Sequence, residues 1–192
     1  HLFSSAASDV YKRQVYMGSL SMLIIFGLMA IAFKSYWQPF LVLTAVPFGL
    51  MGAIFGHWML GWQVSMFSIM GVIACAGVVV NDNLVLIDRI NNLRDEGMDL
   101  VDALLQGATD RFRPIILTSV TTFVGLVPIM LETSVQAQFL IPMVVSLSFG
   151  VMFATGVTLV LVPALYLIGD DWRQAISWLA RFFPRFSKEE AA

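Results

Sequence analysis

Five long apolar runs dominate the sequence and constrain its fold more than any other feature. Each run is close to or above the roughly 20 residues that a helix needs to cross a hydrocarbon layer of about 30 Å. The predicted fold class is therefore all-α, a polytopic transmembrane helix bundle with five spanning helices and one short amphipathic helix outside the membrane. The predicted spans are 15–33, 40–60, 64–87, 115–131 and 139–168.

The composition indicates a chain that dissolves in lipid. Hydrophobic residues make up 58% of the 192 positions and charged residues 12%, against about 25% charged in a typical soluble domain. A soluble protein of this size lacks the interior volume to bury so much apolar surface. The lipid bilayer is therefore the expected partner, and the net charge of −2 gives no indication of nucleic-acid binding.

Residues that would carry enzymatic, metal or disulfide chemistry are sparse. The single Cys75 cannot form an internal disulfide, and His1 and His57 stand far apart, so no metal site is predicted. For both histidines a structural or surface role is expected. The sequence offers no nucleophile–base pair and no phosphate-binding loop. We therefore expect no cofactor and no enzymatic activity.

The apolar runs divide the chain into four regions. Residues 1–14 are polar, patternless and begin without Met, so we interpret them as the ragged edge of a fragment or a non-native scar. The predicted membrane domain covers 15–168, interrupted by a cytoplasmic connector at 89–113 and followed by a cytoplasmic interfacial tail at 169–192. A signal peptide ending at the A-x-A-like "MAIAF" is the alternative for the first run, but four further spans favour a transmembrane helix.

The connector and the tail both carry an amphipathic pattern. In the connector, one helical face is apolar and the opposite face is acidic. The tail mixes aromatic and aliphatic side chains with basic ones, which is typical of a segment in the headgroup layer. The apolar face of the connector comprises Leu100, Ala103, Leu104 and Ala108.

Lysine and arginine are distributed unevenly between the loops. The loop after the first span, the connector and the tail carry nine basic residues, whereas the other two loops between spans carry none. Because basic residues concentrate on the cytoplasmic side of membrane proteins, the C-terminus is predicted to be cytoplasmic. The nine are Lys34, Arg89, Arg94, Arg111, Arg113, Arg173, Arg181, Arg185 and Lys188.

Three adjacent polar residues interrupt the third span in the stretch "GVVVNDNLVLID". At about 100° per residue, Asn81, Asp82 and Asn83 fan across the helix and cannot all face one partner. A charged side chain at the centre of a span costs at least about 2.5–3.5 kcal/mol. For Asn83 we favour a hydrogen-bonding role between helices. Asp82 is the candidate functional residue, because a group that only joins helices does not need to titrate.

The fourth span opens with "RFRPIILTSVTTF". Thr118 and Thr122 lie four residues apart and share a helical face, with Arg111 at the cytoplasmic mouth of the span. By itself a membrane threonine is more often bonded to its own backbone than part of a relay. Glu132 near the other end is interpreted as an interfacial charge.

These stretches, in this order, resemble the C-terminal membrane half of the resistance-nodulation-division (RND) permeases, an AcrB-like superfamily. The resemblance runs from about Val15 to Ile168. It rests on "FKSYWQPF", "PFGLMGAIFG", "GVVVNDNLVLID", "RFRPIILTSVTTFVGLVPIM" and "VPALYLI" in register with the spans.

The resemblance implies a place for the chain and partners for it. The five runs would be helices eight to twelve of a twelve-helix unit in the bacterial inner membrane. Such permeases are proton-driven homotrimers that export amphiphilic or toxic compounds, multidrug resistance included. They work with a periplasmic adaptor protein and an outer-membrane channel, which here would dock through periplasmic domains outside this chain. The N-terminal half of the same permease would be the nearest partner.

Residue by residue, the resemblance adds to the candidate site and also limits it. Thr118 matches the relay threonine of the family, and Arg111 matches its relay-associated arginine. The drug-pump pattern has a lysine at the position of Asn81, and this departure places the standard aspartate–lysine switch in doubt, since an amide can only hydrogen-bond. We expect Asp82 to titrate, with Asn81 and Thr118 orienting it and Arg111 tuning the exit. Secondary candidates are Asp88 and Thr122.

Two alternatives stay open at this point. The chain could belong to a related RND branch that exports lipids, metal ions or proteins. It could also be a non-transporting, degenerate half-permease whose Asn81 records lost coupling. The 11 methionines are scattered and give no support to a metal pathway.

Overall fold

A computed structural model describes the backbone of residues 2–182 and the side chains of Lys12, Arg13 and residues 15–172. In this part of the chain six α-helices follow one another. Five stretches are long and apolar enough to cross a membrane, which confirms the predicted all-α class. The helices are α1 (Leu2–Phe33), α2 (Trp37–Leu43), α3 (Val46–Leu60), α4 (Met66–Asp95), α5 (Leu100–Met130) and α6 (Val135–Phe182).

The chain separates into two units, one up to Phe40 and one from Leu41 onward. The first unit consists mainly of α1, which begins at Leu2 rather than at the start of the apolar run. The segment 2–14 is thus helical, because a polar sequence without helix breakers can still form a helix without being apolar enough to span.

In the second unit, α6 packs against α3, α4 and α5, and α3 also packs against α4. Close approach depends on missing side chains. A Cβ at Gly52 would lie 2.5 Å from the Cβ of Phe153, and a Cβ at Gly107 would lie 2.7 Å from Ile90. Lipid supplies no hydrophobic driving force for helix association. Small residues at helix crossings matter because they let the backbones approach closely and gain van der Waals contact.

Three helices meet closely at Cys75. Its Sγ would lie 3.0 Å from a Cβ at Gly49 of α3 and 2.7 Å from a Cβ at Gly150 of α6. Val79 and Val151 are buried in the same cluster. We call Gly49, Cys75 and Gly150 the Cys75 junction.

Local sequence explains where α3 ends and α4 begins. Gly61 adopts a left-handed conformation (φ 70°) and closes α3 with a bond from its N–H to the His57 carbonyl. Ser65 then starts α4 through a capping box, in which its side chain accepts from the Ser68 N–H while the Ser68 side chain accepts from the Ser65 N–H.

Two connections differ from the sequence prediction. The second span breaks at Thr44 and Ala45 into α2 and α3, directly before Pro47, which lacks the N–H that a continuous helix needs. The amphipathic connector is not a separate helix, because α4 runs to Asp95 and α5 starts at Leu100 and continues into the membrane span.

The predicted apolar face of the connector is nevertheless the inward one. Ala103 and Leu104 are buried, and Leu100 and Ala108 are half-buried. For the predicted tail, α6 continues to Phe182. Residues 183–192 lie outside the described part.

Candidate functional site

The three adjacent polar residues of α4 occupy three different environments. Asn81 is exposed, Asp82 is half-buried and Asn83 is only 2% exposed. This is the fan that 100° per residue predicts. Asp82 therefore lies at the edge between an open face of α4 and its packed face.

The face of α4 that carries Asp82 is turned toward α5. Asp82 and Arg89 are seven residues apart and share this face. Arg89 reaches α5, where its Nε and Nη2 donate to Asp110 Oδ2 at 2.9 Å and 2.7 Å. Gln106 donates to the other oxygen of Asp110 at 2.8 Å. This ion pair fixes the register of the two helices.

The register places Asp82 beside the fourth predicted span. The Arg89–Asp110 pair and the approach of Gly107 to Ile90 join antiparallel helices, so Asp82 lies at the depth of residues 115–117. Thr118 is within one turn of that depth, since each residue of a helix advances about 1.5 Å. The structure thus brings the α4 and α5 candidates to one level.

Buried hydroxyl groups on α5 and α6 lie close to the same level. Ser119 is 1% exposed and shares a hydrogen bond of 2.7 Å with Thr155. Residues of α4 contact residues of α6 that lie 72 to 75 positions later in the chain. Asn83 therefore lies at the depth of residues 155–158. We call Asp82, Asn83, Ser119 and Thr155 the polar layer.

Several polar atoms in this region are buried without a protein hydrogen-bond partner among the described residues. They are Asp82 Oδ2, Asn83 Nδ2 and Arg111 Nε. A buried polar group without a partner costs about 1–3 kcal/mol, and such groups concentrate where a protein performs chemistry or binds something. Asn83 is buried as a helix-joining group would be, but its amide nitrogen has no hydrogen-bond partner within residues 15–172.

The remaining predicted residues are less buried. Thr118 is exposed and donates to its own backbone, to the Pro114 carbonyl at 2.9 Å, and Thr122 is half-buried. Asp88 is exposed and accepts from Asn92 at 3.4 Å. Within the described residues, no hydrogen bond joins Asp82, Asn81, Thr118 and Arg111 to one another. The structure brings Asn81, Asp82 and Thr118 to similar depths, and Arg111 lies about one to two helical turns from Asp82, nearer the connection between α4 and α5.

Sequence reasoning missed Ser119 and Thr155. Ser119 follows Thr118 in a stretch of hydroxyl residues, and only the rotation of α5 against α6 selects it as the inward one. The only signal for Ser119 in the sequence is its spacing: it lies four residues after the apolar Ile115 and therefore on the same helical face.

Asn81 and Thr118 belong to two exposed strips of small and polar residues. On α4 the strip contains Ala74, Gly77 and Asn81, and on α5 it contains Thr118 and Gly125. A Cβ at Gly77 or at Gly125 would meet nothing within 4 Å. Such strips allow another helix to approach closely.

Five stretches that are long and apolar enough to cross a membrane, one of them with Asp82 in its interior, define a polytopic membrane protein with an ionisable residue inside a candidate span. The chain belongs to the AcrB/AcrD/AcrF family, whose model matches residues 3–170. This confirms the resemblance to the RND permeases, a family of transporters.

Curated relatives show the same relationship. The chain is 33% identical to the cobalt-zinc-cadmium resistance protein CzcA of Cupriavidus metallidurans over 85% of its own length and 15% of the relative. It is 34% identical to Protein HelA of Legionella pneumophila, over 83% of its length and 15% of the relative. For the swarming motility protein SwrC of Bacillus subtilis the identity is 31%, over 79% and 14%. The chain thus spans about 15% of the length of these relatives.

Proposed function

We propose that this chain forms part of the membrane domain of a proton-driven RND export permease and that Asp82 is its titrating group. One observation carries the proposal: a carboxylate on α4 is half-buried, faces α5 and has one buried oxygen without a hydrogen-bond partner among the described residues. A carboxyl group that alternates between neutral and charged forms at this depth changes its need for hydrogen bonds. It can therefore bias how α4 and α5 pack.

The neighbours of Asp82 suit the two forms differently. The amide of Asn81 and the hydroxyl of Thr118 can donate to a carboxylate, and the guanidinium of Arg111 can attract it across about one to two helical turns. The neutral acid needs none of these groups. In this proposal Asn81 and Thr118 orient the carboxyl group and Arg111 favours proton release toward the end of the bundle where α4 meets α5. Asp88 and Thr122 are secondary members of the route.

The energy for the cycle would come from the membrane. An inward proton releases about 2.3 kcal/mol for each 100 mV of membrane potential. That is comparable to the cost of about 1–3 kcal/mol for one buried unpaired polar group. Breaking and making one or two hydrogen bonds at Asp82 is therefore within reach of a single proton.

The exposed strips on α4 and α5 support the proposed partners. Position 81 carries Asn where the drug-pump pattern has lysine. A helix that covers the strip on α4 therefore meets no cation at position 81. We expect that helix to carry fewer buried acids than the drug-pump pattern has. We propose that this helix belongs to the N-terminal half of the same permease. Following the family resemblance, the intact protein would be an inner-membrane homotrimer with a cytoplasmic C-terminus, an adaptor protein and an outer-membrane channel.

The test is export by the full-length permease in reconstituted vesicles with an imposed proton gradient. Asp82→Asn should lower gradient-dependent export at least tenfold, because an amide cannot take up a proton. The matched control is Asp95→Asn, the same change at an exposed position at the end of α4, which should retain near wild-type export. Undiminished export by Asp82→Asn would overturn the proposal.

Metal-cation export is the second candidate, because one relative, which is 33% identical to this chain, is the cobalt-zinc-cadmium resistance protein CzcA. Measuring the export of an amphiphilic dye and of a divalent metal ion from the same vesicles distinguishes amphiphile export from metal-cation export. We propose amphiphile export.

A further inference from the structure

A small cavity lies between α3, α4 and α6, away from Asp82. Its volume is about 110 Å³, and most of its wall is aliphatic, including Leu50, Ile54 and Val72. Three polar side chains also line it: His57, Ser68 and Ser146. All three are at least nine-tenths buried. The cavity lies near the turn from Gly61 to Ser65, whereas the polar layer lies beyond the Cys75 junction.

Two of the three polar side chains already have protein partners. His57 Nδ1 lies 2.9 Å from the Ala53 carbonyl oxygen, which can only accept, so Nδ1 carries a proton. His57 Nε2 lies 2.8 Å from Ser68 Oγ, which also accepts from the Ser65 N–H at 3.0 Å. His57 and Ser68 are therefore hydrogen-bonded to each other and to the backbone, and together they link α3 to the capping box of α4.

Ser146 is the exception. It is 0% exposed, and its hydroxyl has no hydrogen-bond partner in the part of the chain that the structure describes. Its backbone is held in place by tight packing, since a Cβ at Gly71 of α4 would lie 2.8 Å from the Cβ of Ser146. The cavity thus combines aliphatic walls with one fixed hydroxyl group that can both donate and accept.

This combination selects the chemistry of the occupant. A buried water needs about two to four polar partners, and only one hydroxyl here is unpaired. A purely aliphatic chain would fill the walls but leave Ser146 unpaired, which costs free energy. A molecule with a short apolar body and one hydroxyl group satisfies both.

The volume and the rim of the cavity set the size and the route of entry. Apolar cavities of roughly 150 Å³ accommodate benzene, so the present one suits a molecule of roughly five non-hydrogen atoms. Leu50, Ile54 and Ile69 line the cavity and are also exposed. A molecule dissolved in the membrane can therefore enter between α3 and α4.

We propose that the cavity between α3, α4 and α6 binds a small neutral amphiphile of the short-chain alcohol class, with its hydroxyl group on Ser146. The site goes beyond the proposed function and does not depend on proton coupling. A molecule bound there would contact Ser146 of α6 and residues of α3 and α4 at the same time. Amphiphiles in the membrane would therefore act directly on the packing of these three helices.

The test uses the full-length permease in lipid vesicles and a diazirine derivative of 1-butanol, which labels contacting residues on illumination. Labelling is located by mass spectrometry of peptides, with unlabelled 1-butanol as competitor. We expect saturable, competed labelling on residues that line the cavity, with an affinity on the order of millimolar.

Variants separate specific binding from partition into lipid. Val72→Phe fills the cavity and should lower labelling at least tenfold, whereas Ile73→Phe, the matched change at the adjacent exposed position, should leave it unchanged. Ser146→Ala should lower the affinity about three- to tenfold, as expected for the loss of one neutral hydrogen bond. Thermal unfolding of each variant controls for loss of the fold, and Ser146→Ala keeps the test valid if Val72→Phe does not fold.

Three results would overturn the proposal. The first is labelling that does not saturate and is equal in Val72→Phe and Ile73→Phe, which indicates lipid partition. The second is binding that Ser146→Ala leaves unchanged, which indicates an aliphatic site with no role for the hydroxyl. The third is an ordered water on Ser146 with no competed labelling. None of these measurements involves a proton gradient, so they leave the role of Asp82 untouched.

Discussion

The Cys75 junction and the polar layer are both buried in the same helix bundle, yet they are built in opposite ways. At the junction, Gly49 and Gly150 leave no room for even one added carbon beside Cys75. In the polar layer, Asp82 and Asn83 each keep a buried atom without a hydrogen-bond partner among the described residues. One region is filled with close contacts, whereas the other contains polar atoms whose hydrogen-bonding capacity is not used.

The difference indicates that two parts of α4 have different roles. Tight backbone contacts tolerate little displacement, because protein interiors are close-packed and resist deformation. Polar groups without fixed partners can change partners at a small cost in free energy. We infer that α4 is anchored to α3 and α6 at the junction and that rearrangement occurs some residues further along, where it faces α5.

The largest effect on stability is expected at the packed region. At Gly71 a Cβ would overlap the Met143 carbonyl oxygen of α6. Gly71→Ala should therefore lower the free energy of unfolding by about 1–3 kcal/mol, as overpacking does. Thermal unfolding of the full-length permease in detergent measures this.

The matched control is Gly156→Ala, at an exposed position of α6 outside the two strips. A Cβ there would meet nothing within 4 Å, so the change should be neutral or should stabilise the helix by up to about 1 kcal/mol. Equal losses at both glycines would contradict the assignment of Gly71 to a packed helix crossing.

A smaller effect is expected from the hydroxyl pair of the polar layer. Ser119→Ala leaves the buried Thr155 hydroxyl without this partner and should lower the free energy of unfolding by about 0.5–1.5 kcal/mol. Thr155→Ala should cost less, because Ser119 Oγ can still donate to the Ile115 carbonyl at 3.1 Å. The double variant should be no less stable than the worse single one, because both partners are then removed. Strictly additive losses would show that the bond of 2.7 Å between them contributes nothing.

Much of the fold follows from the sequence for simple reasons. Run lengths near the thickness of a bilayer predict the spans, and the rotation per residue predicts that Asn81, Asp82 and Asn83 face different ways. A proline inside a run predicts a kink, and the second span does break just before Pro47, whereas the continuity of α5 through Pro114 was not predicted. Proline alone does not tell whether neighbouring helices compensate for its missing hydrogen bond.

The candidate site was only partly predictable. The sequence and the family resemblance point to Asp82 and Thr118, but the rotational phase of α5 against α6 decides that Ser119 is inward and Thr118 outward. Likewise, the cavity beside Ser146 depends on residues of three helices that no spacing rule connects. Sequence periodicity describes each helix, whereas the site depends on how the helices are rotated against one another.

The central claim is that the side chain of Asp82 takes up and releases a proton while the permease works. The most direct measurement is infrared difference spectroscopy of the full-length permease in vesicles, recorded on acidification of the side from which protons enter. The account predicts a C=O stretch of a protonated carboxyl group that is present in wild type and in Asp95→Asn and is lost in Asp82→Asn. The same band at full strength in Asp82→Asn would contradict it.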